Sequence, residues 1–106
     1  MTHTSNDAQA SRVDSIRQQL EQQLQERLDM IAELAPRAVP SIDPVAYQTA
    51  ASNRMLVGQI SAALNRLDAG TYGTCTRCGG QIAPGRLEVL PHAAACIECQ
   101  SRADAA

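Results

Sequence analysis

The sequence predicts a mainly α fold in which two long helices pair as an antiparallel coiled-coil hairpin and join a small four-cysteine knuckle. Three observations predict it. Apolar residues recur at spacings of three and four along two long stretches, a Pro-rich segment separates those stretches, and all four cysteines fall in the last third of the chain in two C-x-x-C pairs. The 106 residues include no Trp, no Phe and only Tyr47 and Tyr72, so Ala and Leu must supply the packing of a modest core.

Residues 1–10 are small and polar without periodicity and read as a disordered tail. Ser11, with Asp14 three positions on, resembles a capping box. Val13, Ile16, Leu20, Leu24, Leu28, Ile31 and Leu34 then mark one helical stripe. No Gly or Pro interrupts that stripe before Pro36, so a helix is expected from about Ser11 to Ala35. Such a helix is on the order of 35 Å long, more than a small core can cover, and it requires a partner.

Pro36, Pro40 and Pro44 make the chain turn. A second helix is expected to start at Asp43, a good N-cap followed by Pro44 at the first helical position, and to end at Asp68-Ala69-Gly70. Leu56, Ile60, Ala63, Leu64 and Leu67 form its stripe. Toward the turn that stripe thins to Thr49, Ala50 and Asn53, so looser packing and a mobile tip are expected there. The hairpin therefore spans residues 11–69, with its tip at about 36–46.

Residues 70–106 form the knuckle. Cys75-Thr76-Arg77-Cys78 and Cys96-Ile97-Glu98-Cys99 are separated by seventeen residues. A two-residue gap lets the backbone curl so that both sulfurs of a pair face one ion, and four thiolates at tetrahedral corners close the shell of a structural zinc. Gly79 and Gly80 leave room for the curl, with N–H groups free to bond the sulfurs. Pro84-Gly85 is placed for a type II turn in a short β-hairpin, and Cys96 and Cys99 are expected to open a short final helix whose N-terminal dipole favours their thiolates. Two disulfides or four buried thiols are the competing readings, and a catalytic zinc would need an open ligand position that four cysteines do not leave. His92 is expected to pack on the knuckle or lie at the surface, and His3 carries no argument.

Met1 to Ala10 does not resemble a signal peptide and no apolar run is long enough for a membrane span, so a cytoplasmic protein with reduced thiols is expected. The net charge is −2, all nine cations are Arg, and acids are interspersed with them. That leaves no basic patch for duplex DNA or RNA. No nucleophile with a base, no paired carboxylates and no phosphate-cradling loop is found, so an enzyme is not expected.

The run from Ala63 to Gly79, with Ile82, Arg86-Leu87-Glu88, Pro91 and Cys96-Ile97-Glu98-Cys99-Gln100, resembles the zinc finger of the DksA/TraR family. The resemblance is close over about Leu56 to Gln100, and upstream it extends to the coiled coil in kind. It implies a bacterial transcription regulator that binds RNA polymerase rather than DNA, with the coiled coil inserted into the secondary channel. The family's tip motif, Asp-x-x-Asp-x-Ala, falls on Asp43-Pro44-Val45-Ala46-Tyr47-Gln48. Only the first acid is kept: Ala46 replaces the second, Gln48 replaces the alanine, and Tyr47 is a candidate replacement contact. Asp43, Ala46 and Tyr47 are the candidate partner-binding residues, and the change implies modified or reduced activity. The resemblance also implies weak or absent dependence on ppGpp, because Gln59, Leu90 and Gln100 stand where basic residues would hold it.

Two other readings keep the cysteines and change the partner. GATA-type DNA-binding fingers share the spacing, but Thr71 to Ala106 carries Arg77, Arg86 and Arg102 against Glu88, Glu98 and Asp104, with no excess to meet phosphates. Alternatively, the hairpin and knuckle could serve as a dimerisation or adaptor module without affinity for polymerase.

Overall fold

A computed structural model describes residues 3–105, with side chains described from residue 11 onward. Helix α1 spans His3–Leu34 and is followed by a 3-10 turn, Ala35–Arg37. Helix α2 spans Pro44–Ala69, α3 Pro84–Val89 and α4 Ile97–Ala105. Helices α1 and α2 pack along each other as the predicted hairpin, and the molecule measures 62 × 32 × 21 Å.

The start of α1 corrects two expectations. The helix is already formed at His3, so the segment assigned to a tail is helical from there on, and Ser11 lies inside the helix rather than capping it. Residues 4–12 contain no Gly or Pro, and Ala8, Gln9 and Ala10 are good helix formers, so nothing ends the helix upstream of Ser11. Met1 and Thr2 lie outside the described residues.

The start of α2 matches its reading. Asp43 has an extended backbone (φ −145°, ψ 92°), its Oδ1 accepts from the Ala46 N–H at 3.0 Å, and Pro44 follows at the first helical position, where a missing N–H costs nothing. At the other end Gly70 adopts φ 77° and donates to the carbonyls of Arg66 and Leu67, while the Thr71 N–H reaches Arg66 O at 2.9 Å. A side chain at Gly70 would meet that left-handed backbone at a steric cost, and this is why the helix stops there.

The seam is built around Leu20, Ile60 and Ala63, all fully covered, with Ile16, Leu24, Leu56, Leu64 and Tyr72 packed against them. Val13 and Leu28 of the predicted stripe lie outside it. Arg17 pairs with Asp68 at 2.7 Å near the end of α2, so Val13 lies past the partner helix. At the level of Leu28 the seam position is taken by Arg27, which bonds Asn53. At the outer end of the seam Thr49 is exposed and the line is filled by small or polar residues. Ala46, Ala50 and Asn53 are all buried, because small side chains let the two backbones approach closely.

The β-hairpin predicted around Pro84-Gly85 is replaced by α3, with Pro84 at its first position and Ala83 extended before it. Proline's fixed φ serves a helix start as well as it serves a turn, and among the described residues no strand pairs with this segment. The one antiparallel bridge among the described residues, Thr74 with Gln81, lies instead around the first cysteine pair.

Candidate metal centre

Cys75 and Cys78 occupy the turn that this bridge closes. The Cys75 N–H donates to Gly80 O at 2.7 Å, the Gly79 N–H to Cys75 O at 3.0 Å, and the Ile82 N–H to Gly73 O at 2.8 Å. Gly79 makes the curl possible with φ 74°, and the Gly80 N–H donates to Cys78 Sγ at 3.4 Å, as the glycine pair was read to do. A Cβ on Gly80 would lie 3.3 Å from that sulfur. The second pair comes from the start of α4: Cys96 lies just before the helix, its carbonyl accepts from the Gln100 N–H at 2.9 Å, and Cys99 is in the first turn.

These elements bring all four sulfurs within 4.8 Å of one another. Cys78 Sγ and Cys96 Sγ are 3.9 Å apart. A tetrahedron with Zn–S bonds of about 2.3 Å has edges of about 3.8 Å, so the cluster has the dimensions of a zinc site. All four cysteines are free thiols. The donor set therefore suits one structural zinc ion, with Cys75 and Cys99 buried and Cys78 exposed. Zinc would supply a fourfold crosslink there and no open coordination position.

The electrostatics agree with a cation site. Backbone N–H groups of Cys78, then Cys96, pull Cys75 down to about 6. Cys99 is pushed up to about 12, first by hydrogen bonding with Cys96 and then by burial and its other thiol neighbours. One thiolate forms readily, but further negative charge in so small a volume is opposed until a dication arrives. Three backbone N–H groups, of Cys78, Cys96 and Arg77, act on Cys75.

Ile82, Ala95 and Leu87 pack around the sulfurs. A set of bonds that sequence reasoning missed holds this small core together and, through Arg66, ties it to the hairpin. Tyr72 Oη donates to Pro91 O at 2.8 Å, Arg66 Nη2 reaches His92 O at 3.3 Å and Ala93 O at 3.4 Å, and Arg86 Nε donates to Ala95 O at 3.1 Å. The Thr76 N–H and hydroxyl both donate to Ala94 O. Every acceptor is a main-chain carbonyl, which has no residue-type signature. Tyr72, as one of two aromatics, was the one available clue. His92 packs at this junction as expected, and its pKa is lowered by burial, then by Arg27 and Arg66.

Gln59, Leu90 and Gln100, far apart in sequence, line a single cavity of about 540 Å³ together with Arg66, Arg86 and His92. At the tip, Asp43 and Tyr47 are accessible while Ala46 is buried in the seam, so Ala46 can shape the tip but not present itself to a partner.

Residues 70–105 match the model of the prokaryotic dksA/traR C4-type zinc finger. The "RNA polymerase-binding transcription factor DksA" of Caulobacter vibrioides is 36% identical over 80 residues, 74% of this chain and 56% of the relative. The protein of the same name in Haemophilus influenzae is 41% identical over 51 residues, 48% of this chain and 35% of the relative. Among solved structures, transcription factor DksA2 from Pseudomonas aeruginosa superposes with a TM-score of 0.71 and 29% identity over 89% of this chain and 84% of that one. The chain spans about half the length, or less, of these two curated relatives. Among the described residues no helix is long and apolar enough to cross a membrane.

Proposed function

Residues 70–105 carry the zinc finger of the DksA/TraR family, and from this premise we propose that the chain is a transcription regulator that binds RNA polymerase. The observation that carries the proposal is the pairing of that finger with a long, narrow helical hairpin in one molecule, an arrangement similar to DksA2. In this reading the zinc held by Cys75, Cys78, Cys96 and Cys99 fixes the base. The hairpin enters the secondary channel with its tip, Asp43 holding the first turn of α2 and Tyr47 available as a contact.

The regulator acts by occupying the polymerase and not by catalysis of its own. The loss of the second tip acid at Ala46 gives it modified or reduced activity, since the buried methyl group cannot substitute for a charge. Dependence on ppGpp is weak or absent: Gln59, Leu90 and Gln100 bring no cation to their cavity, and of the arginines that line it Arg66 bonds finger carbonyls through Nη2 and Arg86 through Nε.

Co-purification with core RNA polymerase, followed by competition with a known secondary-channel binder, tests the proposal. Binding that the competitor displaces is the expected result. Binding without displacement points to an adaptor role elsewhere on the enzyme, and no binding at all overturns the proposal.

A further inference from the structure

The two cysteine pairs are held in different ways. Cys75 and Cys78 sit in a turn closed by its own backbone: the Cys75 N–H bonds Gly80 O, the Gly79 N–H bonds Cys75 O, and the Gly80 N–H reaches Cys78 Sγ. Cys96 and Cys99 instead open helix α4, with the Cys96 carbonyl accepting from the Gln100 N–H. What aligns that helix with the first pair is bonding to the two carbonyls just before it. Ala94 O accepts from the Thr76 N–H at 2.9 Å and from its hydroxyl at 3.1 Å, and Ala95 O accepts from Arg86 Nε at 3.1 Å.

Arg86 is well placed for this task. It belongs to α3, and α3 is fixed from the side of the first pair: the Ile82 N–H bonds Gly73 O, and Leu87 packs with Ile82 against the buried Cys75 and Cys99. The Arg86 side chain lines the cavity that contains Cys78 and Cys96 and also the one that contains His92 and Gln100, so it separates the metal edge of the finger from the hairpin side. Ala95 is only 6% exposed, so its carbonyl has little water to turn to if the guanidinium is removed.

We infer that Arg86 is a positioning residue of the metal centre: by holding Ala95 O it keeps Cys96, and with it the second thiolate pair, set against the first, and so slows the loss of zinc. A ligand pair must swing away before the ion can leave. The bond from Arg86 resists that swing at the residue next to the ligand, where groups that orient metal ligands act most directly. The position of the Nε donor carries the effect, not the charge of the side chain.

The test is the rate at which the zinc-loaded full chain gives up its metal to an excess of a chromophoric chelator. Arg86→Met keeps the stem and removes the donor, and it should release zinc on the order of tenfold faster. Arg86→Gln places an amide nitrogen the same number of bonds from the backbone as Nε, so its release should stay within about threefold of the parent protein. Tyr72→Phe loses a bond to the same segment, at Pro91 O, but further from the cysteines, and should release zinc within about twofold of the parent rate. Parent-like release by Arg86→Met overturns the inference. So does release by Arg86→Gln or Tyr72→Phe as fast as that by Arg86→Met, the first because charge then matters and the second because any weakening of the finger then suffices. If Arg86→Met takes up no zinc, Arg86→Lys replaces it, since the lysine keeps the charge but carries its nitrogen one bond further out. Release by Arg86→Lys faster than by Arg86→Gln then supports the inference, and release as slow or slower overturns it.

Discussion

Arg27 Nη1 donates to Asn53 Oδ1 at 3.2 Å across the helical seam, and the same amide's Nδ2 donates to Thr49 O at 2.9 Å. Asn53, the one buried polar side chain among the described residues, is thus satisfied at both ends, and it sits where a purely apolar stripe would otherwise continue.

Asn53→Ala should destabilise the hairpin by about 1–2 kcal/mol, since it leaves Arg27 without its acceptor and opens a small gap. Arg27→Leu combined with Asn53→Leu should recover most of that loss, because replacing both partners with apolar groups removes the unmet polar group altogether. Urea unfolding of the three variants reads the difference. A double variant less stable than Asn53→Ala would contradict this account.

Removing the metal should unfold residues 70–105 and loosen the hairpin base. A structural zinc in finger peptides is worth on the order of ten kcal/mol, more than a core this small can replace. Cys78→Ser should behave like chelation despite the exposure of Cys78, because the lost ligand matters and not its burial. Metal stoichiometry and circular dichroism check both. A cysteine-free chain with unchanged melting would refute the structural role.

Tyr72→Phe should cost about 1 kcal/mol through the lost bond to Pro91 O. Burial raises the Tyr72 pKa above its ordinary 10.0, partly offset by Arg66. The folded state therefore holds its proton more tightly than the unfolded chain does. The tyrosine's contribution is complete below pH 10 and declines as pH rises through the folded value, so the gap between the parent and Tyr72→Phe should close in alkali. Melting curves of the two proteins across that range provide the check.

His92 works in the opposite direction. Its pKa is lowered from 6.5 by burial, then by Arg27 on α1 and Arg66 on α2, and Arg86 lines the same cavity. The unfolded chain takes up the proton first, so stability is present above pH 6.5 and is lost as pH falls below it. His92→Gln should reduce this loss. Comparing the two proteins between about pH 8 and about pH 5 isolates the histidine, since both share the same cysteines and proton effects at the metal site cancel. Parallel curves would exclude His92 as the source.

The parts of this fold that were legible in advance are those where one residue type dictates one geometry. Asp43-Pro44 could only begin a helix efficiently, Gly70 could end one, and the cysteine spacing fixed a tetrahedral cluster. The misreadings came where a residue serves two geometries. Pro84-Gly85 is as good at a helix start as at a turn, and Ser11 with Asp14 makes a plausible cap that the helix simply runs through. Asn53 read as a weakness in the stripe because its partner, Arg27, lies 26 residues away in sequence. Periodicity along one helix cannot report which polar groups meet across the seam.

The stretch Pro91 to Ala95 offers five successive carbonyls, two accepting from Arg66 of the hairpin and three from Tyr72, Thr76 and Arg86 within the finger. Such a joint is indifferent to the identity of most side chains along it but intolerant of any change in their number. Substitutions among small residues at 93–95 should be absorbed, whereas inserting a single residue would shift all the later acceptors out of step. For an engineer grafting this finger onto another hairpin, the length of that segment is the feature to preserve.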